Sequence, residues 1–343
     1  MLEIAPVSRQ WLALVEEEIL EPERPIIDPH HHLWKQGLGF DYLLDEFRQD
    51  TGSGHNVRKT VFVECHAFYD RDAPRHLRSL GETRTIAGLA QQTAASDQGN
   101  PQLAAIVGHV DLALAGKSQS LLREVLEQHL AAGRGLLRGI RHIGAHDRNA
   151  DRFFITPRSP SYLYGKEPFR QGLRILAELG LTFDAWHYHH QNQDFLELAQ
   201  AVPECTLILD HFGTPLGVGN YRGCRDEIFQ QWKEDIRAIS RCPNVYAKLG
   251  GLAMPDNGYD WHKRERPPDS DEFVSTQKRY YLHTIDCFGP ERCMFESNFP
   301  MDRYSLSYQV LWNGFKKMVA DFCDQDRHAL FYGTAERVYR LAD

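Results

Sequence analysis

Short apolar runs recur along this chain, and nearly every one ends in polar residues able to do chemistry. The first is Ile26-Ile27, which enters Asp28-Pro29-His30-His31-His32. Run 59–68 is β-branched and apolar until Glu64. Run 103–112 ends in His109 and Asp111, and 136–143 in Arg141 and His142. Run 181–190 finishes in Trp-His-Tyr-His-His, and 205–213 in Asp210 and His211. Run 244–251 carries Lys248, and 292–300 closes in Glu-Ser-Asn-Phe-Pro.

Between these runs the apolar period lengthens to that of a helix. Helices are expected over 8–20 (capped by Ser8), 74–95, 118–132, 168–179, 193–201, 225–241, 270–287, 304–322 and 328–341. Two stretches, 144–167 and 253–269, show no period and read as long loops. Continuous apolar strands alternating with helices imply a parallel sheet covered on both faces. Eight such units predict an α/β fold, a closed (β/α)8 TIM barrel with an N-terminal helix and extended loops after strands 4 and 7. One domain would span 1–343, with the barrel proper over about 25–341. An open doubly wound sheet would carry a glycine-rich loop after the first strand, where this chain has Asp-Pro-His-His-His.

Composition narrows the function classes. Of 343 residues, 42 % are hydrophobic and the net charge is −8, which argues against general nucleic-acid binding and against an anionic membrane surface. Seven cysteines without CxxC spacing suggest free thiols, and no run reaches transmembrane length, so a cytoplasmic protein is expected. The partner expected is a small, anionic substrate, and a homo-oligomer is compatible with this composition.

The two-residue strand period puts Asp28, His30 and His32 on one face. With His211 from the sixth strand, three neutral imidazoles could converge on one ion, and zinc or manganese accepts such a set with a carboxylate and a water. Each histidine also has a plain reading as a strand-end residue bonded to a loop. Arg141 suits a substrate carboxylate or a structural salt bridge. Lys248 suits a polarised carbonyl or a buried carboxylate. On the fifth strand Asp184, Trp186 and Tyr188 share one parity and His187 and His189 the other, so either Tyr188 or His189 could reach the substrate.

These motifs in this order resemble the amidohydrolase superfamily. They are Asp-x-His-x-His (28–32), Gly-Ile-Arg-His (139–142), Leu-Asp-His-Phe-Gly (209–213), Lys-Leu-Gly-Gly (248–251) and Met-Phe-Glu-Ser-Asn-Phe-Pro (294–300). The chain is most similar to the branch holding sugar-lactone and pyrone-dicarboxylate lactonases. The resemblance implies a hydrolase that opens a lactone, or a related cyclic ester or amide, of a small carboxylated molecule. It also implies a divalent metal on His30, His32 and His211, although some lactonases of this branch work without one.

One position departs from the family pattern. Asn298 stands where the family usually has the aspartate that activates water, and an amide cannot act as a base near neutral pH. Asp302 and Glu64 are the substitute carboxylates to consider, with Asp302 alternatively capping a helix near Tyr304. Asn298 then joins the substrate-binding set. The departure also favours two rival readings, a metal-dependent decarboxylase on the same barrel and a degenerate barrel that only binds a ligand.

Overall fold

The computed structural model describes residues 4–94, 99–157 and 159–341. Eight parallel strands follow one another in chain order: β1 (Ile26–His31), β2 (Val57–Val63), β3 (Gln102–Gly108), β4 (Leu137–Arg141), β5 (Thr182–Ala185), β6 (Leu207–Leu209), β7 (Val245–Leu249) and β8 (Cys293–Phe295). The backbone beyond β8 closes the (β/α)8 barrel onto β1. His31 bridges Phe299, His32 N–H donates to the Phe299 carbonyl (2.8 Å) and Asn298 N–H donates to the His30 carbonyl (2.9 Å). Closure therefore brings His30, His32 and Asn298 together on one rim.

Strand alternation sorts the core into two layers. Ile27, Val61, Val63, Ala105, Val107, Ile208 and Met294 fill the barrel, while Ile26, Phe62, Ile106, Leu207, Leu209 and Phe295 face the helices. Tyr339, on the last helix (Thr334–Tyr339), packs with the inner layer and donates to Asp184 Oδ2 (2.7 Å). The outer helices bury one stripe each. In Glu167–Glu178 the stripe is Phe169, Gly172, Leu173, Ile175 and Leu176, at the spacing that puts residues on one face.

Several expected elements differ in extent. The N-terminal helix is a single turn, Arg9–Leu12. Beyond it, helix Tyr308–Met318 captures the backbone: Asn313 Oδ1 accepts from Leu20 N–H (3.0 Å) and Lys316 Nζ donates to the Leu20 carbonyl (2.7 Å). Tertiary bonds here override a helical sequence pattern. Helix 74–95 becomes a short turn and Leu80–Ala94, and 328–341 is divided into shorter pieces. Ser307, not Asp302, caps the helix that follows β8, accepting from Val310 N–H. No helix among the described residues is long and apolar enough to cross a membrane.

Candidate active site

The two-residue period holds at the end of β1. His30 and His32 place their rings 4.9 Å apart, while His31 turns outward and stacks on Phe47 at 4.0 Å. His211 brings its ring to 4.6 Å from His30. It does so with φ of 53°, followed by Phe212 at 59°, two left-handed residues in succession that are not glycine. Such backbone is uncommon and persists where the surrounding structure enforces it, often at functional sites. The Lys-Leu-Gly-Gly motif explains part of the enforcement. A Cβ on Gly251 would collide with His211 Nδ1, and one on Gly250 with the Glu296 side chain, so the glycines let both groups lie against the backbone.

Glu296 lies against both inner imidazoles: Oε1 hydrogen-bonds His211 Nδ1 (2.6 Å), and Oε2 stands 2.7 Å from His30 Nδ1. Lys248 Nζ lies 2.7 Å from Asp184 Oδ2, 3.3 Å from Asp210 Oδ1 and 3.2 Å from His30 Nδ1. Arg141 gives Nε to Glu64 Oε1 (2.8 Å) and Nη2 to the Glu64 carbonyl; its Nη1 lies 3.4 Å from His30 Nε2 and 3.8 Å from Asp210 Oδ2. Around these two cations stand four buried carboxylates, Glu64, Asp184, Asp210 and Glu296. The excess of two negative charges can be met by protons or by one divalent ion.

Burial pushes the Glu296 carboxyl up to about 8, against the opposing pull of Lys248. Burial likewise lowers His211 to about 3 and takes His30 well below its ordinary value. The imidazoles are therefore neutral at physiological pH and keep a lone pair for a proton or a metal. His30, His211 and Glu296 bring their donor atoms within 4.8 Å of one another, and two imidazole nitrogens with a carboxylate fit zinc. His32 is not among these three; its Nδ1 donates to the Val63 carbonyl (2.8 Å), which leaves the lone pair on Nε2.

Above these groups opens a cavity of about 380 Å³. His32, Arg141, His211 and Asn298 reach it from the strand ends, with Trp34 and Trp186 at its sides. Phe154, Ile155 and Met254 roof it from the long loops after β4 and β7. Asp256 ties these loops together, accepting from Phe154 N–H (2.7 Å) and Ile155 N–H (3.0 Å).

Other expected residues stand elsewhere. Lys248 is fully buried beneath the cavity, and Glu64 stands behind Arg141. Asp302 is buried behind Asn298, accepting from its amide (3.0 Å) and from Ala253 N–H (3.2 Å); burial raises its carboxyl well above the ordinary value. The extended chain stops at Ala185, so of the fifth strand only Trp186 reaches the cavity. Tyr188 packs one layer back against Phe153, and His189 Nδ1 accepts from Leu216 N–H (3.3 Å). Glu296 and Asp210 complete the buried group without belonging to the expected site residues. Glu296 had a weaker signal, as a carboxylate directly after the apolar run that ends at Phe295.

A sequence model of the amidohydrolase family matches residues 27–341. The chain belongs to the amidohydrolase family. It is 28 % identical to y4mH, an uncharacterized Sinorhizobium fredii protein, over 92 % of this chain and 98 % of that one. It is 25 % identical to L-fucono-1,5-lactonase of Burkholderia multivorans, over 92 % and 96 % of the two chains. A crystal structure of a Burkholderia multivorans amidohydrolase with bound zinc superposes with a TM-score of 0.70 at 25 % identity, covering 92 % of this chain and 99 % of the other. The protein is thus an enzyme of the amidohydrolase superfamily.

Proposed function

We propose that this amidohydrolase opens a lactone, or a related cyclic ester or amide, of a small anionic molecule by attack of water. One observation carries the reading. Among the described residues no carboxylate lines the cavity, and His211, backed by Glu296 at 2.6 Å, does. A proton on Nδ1 shared with Glu296 leaves Nε2 as the acceptor, the arrangement of an oriented general base. The Asn298 amide donates to Asp302, while its Oδ1 has no partner among the described residues and belongs to a residue of the cavity wall.

In this mechanism a water held by His211 Nε2 and Asn298 Oδ1 attacks the lactone carbonyl and gives its proton to His211. Glu296 stabilises the imidazolium. The Arg141 Nη1 edge, which Glu64 does not occupy, faces the oxyanion, and Lys35 on the cavity wall suits an acidic substituent. The ring C–O bond then breaks, and the departing alkoxide takes the proton from His211 to give a hydroxy acid. Asp302 serves as a positioning residue that fixes which way the Asn298 amide faces. A divalent ion on His30, His211 and Glu296 would supply Lewis acidity and a more acidic water; the steps above need only the chain's own groups.

The lactonase relative, matched over nearly its whole length, supports this reading. A decarboxylase is the rival, favoured by the same lack of a cavity carboxylate. A panel of sugar-acid and pyrone lactones, assayed with a pH indicator with and without chelator, tests the proposal alongside carbon dioxide release from aromatic acids. Ring opening of at least one lactone is expected. Carbon dioxide release with no ring opening would overturn it.

A further inference from the structure

Glu64 spends only one carboxylate oxygen on Arg141. The other, Oε2, is buried and has no hydrogen-bond partner among the described residues. An anionic oxygen left so is costly and calls for a cation or donor from outside the protein. Two imidazoles face it. His109 Nδ1 lies 3.0 Å from the Arg141 carbonyl, so that nitrogen carries the proton and Nε2 keeps the lone pair, as second-sphere bonds fix ligating histidines. His66 holds a left-handed φ of 61° and sets Nδ1 3.7 Å from Glu64 Oε2. That separation is too long for a hydrogen bond. It is close to the ~3.4 Å edge between two ligands of a tetrahedral zinc with bonds near 2.1 Å. Donor atoms of Glu64, His66 and His109 all lie within 4.8 Å of one another.

We propose that Glu64, His66 and His109 form a second divalent-metal site, suited to zinc and separate from the His30–His211–Glu296 group. It sits in the wall between the central cavity and a neighbouring cavity of about 1070 Å³, which His66 and His109 both line. Three protein donors leave a coordination position open to that outer cavity. Because Glu64 also holds Arg141, an ion here competes for the same carboxylate and governs how firmly the guanidinium is fixed beside the substrate.

Equilibrium dialysis of chelator-stripped enzyme against buffered zinc, with metal counted by mass spectrometry, tests this. The proteins compared are wild type, His66→Ala, His109→Ala and His211→Ala, each checked for folding by circular dichroism. His66 is half-exposed at its side chain, so its replacement should leave the fold intact. Both His66→Ala and His109→Ala should bind one ion fewer than wild type, and His211→Ala should keep that ion. Cobalt should give a tetrahedral visible spectrum in His211→Ala that vanishes when His66→Ala is added. If His66→Ala binds as much zinc as wild type, the second site does not exist. Loss of an ion in His66→Ala alongside none in His211→Ala would uphold this site and remove the central one.

Discussion

Replacing Glu296 with glutamine separates what the carboxylate does for chemistry from what it costs the fold. Burial raises its pKa from 4.5 to about 8. Between those values the native protein holds a proton that the unfolded chain has released, so stability must fall as pH rises. At about 1.36 kcal/mol per pH unit, the wild-type fold loses on the order of 5 kcal/mol across that window. Glutamine has no proton to lose. The melting temperature of Glu296→Gln relative to wild type should therefore climb between about pH 4.5 and 8 and stay level below it. Activity should move the other way. The amide can still accept from His211 but cannot stabilise an imidazolium, which predicts a loss of about 10²–10⁴ in kcat/KM above about pH 8, where the wild-type carboxyl is ionised. In wild type kcat/KM should rise through about pH 8 as Glu296 ionises, with no inflection near 6.5, because His211 is lowered to about 3. The assay is a pair of melting and rate profiles over pH 4–9 on chelator-treated protein. A melting difference that does not change with pH, or turnover within a few-fold of wild type above about pH 8, would refute the reasoning.

Three further variants probe the surroundings. Arg141→Lys keeps the charge but loses the fork on Glu64. It should cost about 1.5–3 kcal/mol of stability in melts and raise KM more for acidic than for neutral lactones. Asp256→Ala leaves the Phe154 and Ile155 amides without their acceptor, at about 1–3 kcal/mol each. Faster hydrogen exchange in residues 144–166 and a higher KM should follow. Asp302→Asn weakens the hold on the Asn298 amide by about 1 kcal/mol, or roughly five-fold in rate; a loss of a hundred-fold or more in kcat would instead make Asp302 the base.

Much of the barrel was legible because strand parity and a helix period are local properties. Eight apolar runs with polar ends predicted the strands, and the two-residue period predicted that His30 and His32 converge. What stayed hidden depended on distant contacts. Arg141 stayed open between a substrate carboxylate and a salt bridge because nothing near it in sequence announces Glu64, 77 positions away. The parity of the fifth strand could not be resolved, because it turns on where the strand stops. That end, after Ala185, is set by packing around Trp186 and the loops above it. Segment 13–20 has the composition of a helix, but bonds from Asn313 and Lys316 hold it otherwise.

The central claim is that water, deprotonated by His211, adds to the carbonyl of a cyclic ester. Turnover of a responsive lactone in ¹⁸O-enriched water, read by mass spectrometry of the product, tests it most directly. Wild type should place one labelled oxygen in the new carboxylate, and His211→Asn should do so about 10²–10⁴ more slowly. Product formed without label, or labelled equally fast by His211→Asn, would contradict the account.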